Sequence, residues 1–384
     1  MSTGSEITLG IEEEFFLVDR ETLDLVVDPD PRLLKAFSEL DGMCRAVPEL
    51  LRSQIELNSL VCHSVAEARE AIVAIRRSVL DLTDQYGIGL MASSTHPFAA
   101  WETQAVTPRD RYREFAVMYQ SVIRQLLASG MHVHAGFGTP DERVQVMTAM
   151  RSYLPLFLTL SGSSPFSGGH VTGFKSSRMN LMAALPRSGL PPVLSSWADY
   201  DRIVDNYRRL DFVRDGSEIW WDLRPSVKFP TLELRIADVC PDIDDGMSIV
   251  ALYTCLVRHL LDAVRTGPLP VDPPPEIIQQ NRWLAQRYGV VAFLADFESG
   301  TRVDLVDYVD ELLDMLSADA AALDCQKEVA HVRNIIREGS SADRQLDHFR
   351  LCRLEGAGVE EALRSVAQLI VSETRRGAEA ELES

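Results

Sequence analysis

Thr8-Leu9-Gly10-Ile11-Glu12-Glu13-Glu14 alternates apolar and polar residues and ends in three consecutive carboxylates. Three later stretches repeat the pattern: Gln54-Ile55-Glu56-Leu57-Asn58, Met131-His132-Val133-His134-Ala135 and Thr231-Leu232-Glu233-Leu234-Arg235. Side chains on a strand point to opposite faces with period two. Glu12 with Glu14, Gln54 with Glu56 and Asn58, His132 with His134, and Glu233 with Arg235 therefore each share a face. Carboxylates and histidines gathered on one side of a sheet are what a divalent-metal site needs. Glu13 falls on the apolar face with Ile11 and Phe15, so it needs a basic partner or a bulge that resets the register.

Each element also has a plainer reading. Glu12 and Glu14 fit a solvated strand face, a His-x-His pair is of low specificity, and Glu233 with Arg235 fits a weak surface ion pair. Asp222 and Arg224, two apart on a preceding strand, extend the polar surface. Four strands carrying the same pattern outweigh these separate readings.

The chain has 384 residues, 46% of them hydrophobic and 25% charged, enough to bury a sizeable core. Its formal charge of −19 argues against nucleic acid or an anionic membrane as partner. An anionic substrate then needs local arginine, lysine or metal charge. The six cysteines are scattered without a Cys-x-x-Cys pair, as reduced thiols in a cytoplasmic protein would be. No signal-peptide pattern is present, and no apolar run reads as a bilayer span, so a soluble protein is expected.

Strands are expected at 6–18, Leu23–Val27, Gln54–Asn58, Gly87–Ser93, His132–His134, Trp220–Arg224 and Thr231–Ala237. Ser64 and Glu67 signal a capped helix over 65–86. Further helices are expected after Pro31, from Pro108 through Leu127, and from about Pro140 to Leu160. Residues 161–192, rich in Gly, Ser and Pro, read as a functional loop. Beyond Asp244 the pattern is helical, interrupted only by the proline-rich stretch 268–275. We read one α+β domain over 1–384: a sheet-forming part at about 6–240, a helical part at about 245–370, and a frayed acidic tail at 377–384. Gly168…Gly173-Phe174-Lys175-Ser176 is rejected as a P-loop because Phe174 separates the glycine from the lysine. No dinucleotide fingerprint, His-Glu-x-x-His or Gly-x-Ser-x-Gly is present.

Gly10-Ile11-Glu12-Glu13-Glu14, Ser53-Gln54-Ile55-Glu56, Ser129-Gly130-Met131-His132-Val133-His134 and Glu233-Leu234-Arg235-Ile236-Ala237-Asp238 together resemble the glutamate–cysteine ligase type 2 family, the YbdK-like carboxylate–amine ligases. Ser163-Ser164-Pro165-Phe166, Ser177-Arg178, Trp221-Asp222-Leu223-Arg224-Pro225, Asn281-Arg282-Trp283 and Ala342-Asp343-Arg344-Gln345 continue the resemblance in order, over about 6–370. It implies the catalytic fold of glutamine synthetase: a curved antiparallel sheet of about six strands forming a funnel, with helices outside. It also implies ATP and Mg²⁺ (or Mn²⁺) as cofactors, small-molecule carboxylate and amine substrates, and a homodimer.

Glu12, Glu14, Glu56, His132 and Glu233 match the family's metal-ligand positions, and Glu49 is a further candidate. Arg235 matches the arginine that contacts the transferring phosphate, and acts in catalysis with Glu233. Arg178 and Arg224 are further nucleotide- or substrate-side contacts. A tryptophan expected after Ser177-Arg178 is replaced here by Asn180-Leu181-Met182. The implied reaction is ATP-dependent amide formation through an acyl phosphate. Its rivals are a metal-dependent hydrolase using His132 and His134, and a non-catalytic nucleotide-binding relative.

Overall fold

The computed structural model describes residues 7–40 and 44–379. Seven strands form its main sheet: β1 (Thr8–Asp19), β2 (Cys44–Pro48), β3 (Gln54–Ser59), β4 (Ile88–Met91), β5 (Met131–Gly136), β6 (Leu223–Pro225) and β7 (Thr231–Leu234). The order is β6-β7-β5-β1-β3-β2, with β4 paired to the far end of β1. Every pairing is antiparallel. The expected α+β fold with about six antiparallel strands is therefore present, with β4 as a seventh.

The twelve-residue β1 organises the sheet because it is long enough to pair with β5, β3 and β4 in succession. Its Leu9, Ile11, Phe15 and Leu17 join Met131 and Val133 of β5 in the core, under helices Val65–Asp84 and Ile243–Thr266. Glu13 shares that face and has the basic partner it needs: Arg76 donates to its carboxylate from Nε at 2.9 Å and Nη2 at 2.5 Å. Helix Val65–Asp84 starts where expected, Ser64 Oγ accepting from Glu67 N at 3.1 Å.

Several expectations are corrected. Leu23–Val27 makes only a Leu25–Val18 bridge, because Leu23 takes φ +60° after a turn in which the Asp19 carboxylate caps Glu21 and Thr22. The unexpected edge strand β2 closes the sheet; its short, proline-ended sequence carries no alternation signal. The 108–127 helix is broken at Gln120 (φ +53°) into Asp110–Tyr119 and Ser121–Arg124.

The strand expected at Trp220–Arg224 splits at Asp222. Trp220–Trp221 pairs with Ser188–Gly189, and Leu223–Pro225 joins the sheet. Asp222 O also takes the amides of Arg235 and Ile236, which ends β7 at Leu234 instead of Ala237. A hairpin, Phe293–Asp296 with Thr301–Asp304, interrupts the helical C-terminal part, its turn closed by Asp296 and Gly300 (φ +67°). Helix Ile243–Thr266 is long and apolar enough to cross a bilayer, unlike anything read from the sequence, and is instead largely buried in the core. The last helix runs to Glu379 with Ala378 buried, so 377–379 are not frayed; 380–384 and Glu6 lie outside the described residues.

Candidate functional site

The register lines up the polar face of the sheet in rows. Arg224, Glu233, His134 and Gly10 are successive cross-strand partners from β6 to β1. His132, Glu12 and Asn58 form the next row, and Glu14, Glu56 and Val47 the one after. Directly opposed residues share a face, so all the alternating polar positions meet on one side. They floor a cavity of about 450 Å³.

Two carboxylate groups stand in it. Glu12, His134 and Glu233 each offer an atom, all within 4.8 Å of one another, and so do Glu14, Glu49 and Glu56. Glu49, the weakest of the sequence candidates, reaches the second group because β2 runs beside β3 and delivers it just past Pro48. His132 sits between the groups, its Nδ1 3.2 Å from Glu12 Oε2 and its Nε2 3.9 Å from Glu14 Oε1. His134 bonds Thr231 Oγ1 through Nδ1 at 2.9 Å.

The electrostatics differ between the groups. Burial raises the Glu12 pKa, but His132 and His134 outweigh it and hold the carboxyl below its usual range. Burial acts likewise on Glu233, and the guanidiniums of Arg224 and Arg235 pull it well below the normal value. In the second group burial prevails over Arg178, Arg235 and the Gly130 amide at Glu14, and over the Leu50 amide and Asn58 at Glu49 and Glu56. Burial carries Glu14 up to about 7, and burial with mutual repulsion raises Glu49 and Glu56. Burial, with Arg235 adding to it, lowers His132 to about 4, so its ring is neutral and has a lone pair to give.

A divalent cation fits this set on two observations. The Nε2 atoms of His132 and His134 are buried and make no well-aligned hydrogen bond, the nearest acceptor of His134 Nε2 being Glu12 Oε1 at 3.3 Å, an arrangement that costs free energy unless something else satisfies them. The donors are carboxylate oxygens with imidazole nitrogen, which suit Mg²⁺ or Mn²⁺.

The arginines divide. Arg235 donates from Nη1 to Glu233 Oε1, 3.5 Å from His132 Nδ1. Arg224 gives its Nε to Glu233 Oε2 at 2.9 Å and its Nη1 to the carbonyls of Ser217 and Ile219, so it pins Glu233 in place. Arg178 makes no hydrogen bond to either carboxylate group, although its charge reaches Glu14. It lies buried behind β7, on the carbonyls of Arg235 and Ala237 at 3.2 Å.

There Arg178 lines a second compartment of about 180 Å³ with Arg282, Asp222, Met182 and Trp221, and Arg235 and Trp220 border both spaces. Asp222 turns away from Arg224, its expected neighbour, to a paired contact with Arg282 at 2.7 and 3.1 Å. The 161–192 loop is folded onto this region by Asp238, whose carboxylate takes Ser163 N, Ser164 Oγ and Ser176 Oγ. Arg109, Arg111, Tyr112 and Lys228 also line the main cavity and were not singled out in the sequence. Their only signal was the alternation of Arg109-Asp110-Arg111-Tyr112 after Pro108.

The chain is similar to known proteins over nearly its whole length. The family described as glutamate–cysteine ligase family 2 matches residues 8–369. A Rhodospirillum rubrum protein named "Putative glutamate--cysteine ligase 2" is 43% identical over 371 residues, 96% of this chain and 95% of its own length. A protein of the same name from Paracoccus denitrificans is 39% identical over 376 residues, 98% and 100% of the two chains. The structure of Francisella tularensis glutamate–cysteine ligase in complex with AMP superposes with a TM-score of 0.66, at 15% identity, over 99% of this chain and 94% of that one.

Proposed function

The chain belongs to glutamate–cysteine ligase family 2, and from that membership we propose that it is an ATP-dependent carboxylate–amine ligase, with glutamate and cysteine the first substrate pair to test. The observation that carries the reading is the pair of adjoining carboxylate groups with two orphaned imidazole nitrogens, beside an arginine shared by two compartments. AMP in the Francisella enzyme, which has the same fold, supports a nucleotide substrate.

A carboxylate oxygen of the acid attacks the γ-phosphorus of ATP, and the bond to the β–γ bridging oxygen breaks to release ADP. The amine nitrogen then attacks the acyl carbon, inorganic phosphate leaves, and the nitrogen loses a proton. Glu12, His134 and Glu233, and Glu14, Glu49 and Glu56, with His132 between them, would hold Mg²⁺, which would supply neutralising charge for the phosphate oxygens. Arg235 stabilises the charge on the transferring phosphoryl group from the junction of the compartments. Arg224 keeps Glu233 ionised and aimed, which Glu233 alone at this depth would not remain. The smaller compartment, with Arg178 and the Asp222–Arg282 pair in its wall, takes the amino-acid substrate.

ADP release from Mg-ATP, measured across a panel of amino acids and amines with mass spectrometry of the product, tests the reading. ADP with one acid–amine pair, abolished in Glu233→Gln, is the expected result. A hydrolase would turn over without nucleotide, and a non-catalytic relative would bind ATP without forming ADP. Either outcome refutes the proposal.

A further inference from the structure

Helix Asp110–Tyr119 crosses the mouth of the main cavity and has no buried residue along its ten positions. It is tied down on two sides. Tyr112 Oη donates to Pro48 O at 3.3 Å, next to Glu49, and Arg111 Nη2 donates to Ser217 Oγ at 3.2 Å, on the residue whose carbonyl holds Arg224. Phe115 and Tyr119 rest edge-on against Trp220 at 6.1 and 5.8 Å. The helix ends at Gln120, in a positive-φ conformation that a glutamine rarely adopts.

The charge it carries is the informative part. The floor of the cavity holds Glu12, Glu14, Glu49, Glu56 and Glu233, whereas the side chains at its mouth are Arg109, Arg111 and Lys228. Among the described residues, none of these three cations makes an ion pair with a carboxylate of the chain. Exposed arginines on a protein of net charge −19 would ordinarily find acidic neighbours. Arg111 is held only by Ser217 Oγ and the face of Phe115, with Asp215 the carboxylate its charge reaches, so these cations keep capacity for an anion over a floor rich in carboxylates.

Resting on the ATP-dependent reading above, we infer that Arg109–Phe115 is a cationic strap across the site, and that Arg109 and Arg111 bind the phosphate tail of the incoming nucleotide. A planar guanidinium grips two phosphate oxygens at once, which lysine cannot do. The contacts to Pro48, Ser217 and Trp220 hold the helix beside the cavity, where the two guanidiniums meet the phosphates without a change in the sheet.

The test is calorimetric titration of ATP and of pyrophosphate, in Mg²⁺, into the wild type, Arg109→Ala, Arg111→Ala, the double alanine variant and the corresponding lysine variants. Each alanine should weaken both ligands roughly tenfold, a charge-assisted hydrogen bond's worth, and lysine should restore part of the loss. Thermal midpoints should stay within about a degree, because neither side chain is in the core. In turnover the KM for ATP should rise while kcat changes little. ATP bound with wild-type affinity by the double variant overturns the strap and leaves the ligase reading standing. Neither ligand binding the wild type overturns both.

Discussion

Replacing Arg76 with methionine probes what places Glu12 and Glu14 in the site, since Glu13 between them faces the other way into the core. Glu13 is 2% exposed and Arg76 0%, and the guanidinium also donates to Pro241 O at 2.7 Å and Cys240 O at 2.8 Å. Methionine removes both bonds to the Glu13 carboxylate and leaves it buried without a partner. Breaking one side of such a pair costs about 3–5 kcal/mol. Unfolding entropy of roughly 2.1 cal/mol/K per residue gives about 0.8 kcal/mol/K for a chain of this length, so the melting midpoint should fall by about 4–6 °C. Glu13→Leu combined with Arg76→Met removes the stranded charge and leaves only the two carbonyls unsatisfied, so it should recover at least half of the loss. The assay is thermal unfolding followed by circular dichroism, with all variants scanned at one rate. A midpoint within 1 °C of wild type in Arg76→Met, or a double variant as unstable as the two single losses added together, refutes the reasoning.

Arg235→Lys keeps the charge and loses the planar fork, so kcat should drop by at least an order of magnitude while the Kd for Mg-ATP changes severalfold. A weaker Kd with kcat unchanged would show instead that Arg235 binds ground and transition states equally. His96 predicts a pH dependence outside the site. Its Nε2 donates to Leu23 O at 2.9 Å, its Nδ1 accepts from Ala99 N at 3.0 Å, and burial lowers its pKa from 6.5 to about 4. Because the folded pKa lies below the unfolded one, its contribution is complete above pH 6.5 and is lost as the pH falls to about 4. The full span is about 3 kcal/mol, or about 4 °C. His96→Gln should flatten the melting curve against pH by that amount, and an unchanged slope would remove His96 as the cause.

Alternation made β1, β3, β5 and β7 readable, and with them every side chain they carry into the site, because period two is a property of the strand alone. What was not readable depends on contacts between distant segments. β2 has no period of its own and exists because β3 offers it an edge; Glu49 became a full member of the second carboxylate group only through that pairing. Arg178 and Arg224 read alike in sequence, as basic residues near the site. One lies behind β7 because the loop before it is wound around Asp238, and the other holds Glu233 because β6 pairs with β7. The break at Asp222 was hidden for the same reason: its partner, Arg282, is sixty residues away.

The two carboxylate groups are also unlike in what they still need. Within the chain, hydrogen bonds from two imidazoles hold Glu12 below its usual range, and two guanidiniums do so for Glu233. That group is rigid and charged before anything binds. Glu14, Glu49 and Glu56 have mainly one another, and the only cations acting on Glu14 are Arg178 and Arg235 from outside the group. Burial and the neighbouring carboxylates push all three half-buried carboxyls upward, the opposite of the shift on Glu12 and Glu233. Glu14, Glu49 and Glu56 would gain most from a divalent cation, which would supply the positive charge that the chain provides to Glu12 and Glu233. The same polar floor therefore presents one half that the chain's own arginines and imidazoles compensate and one half that a cation would complete.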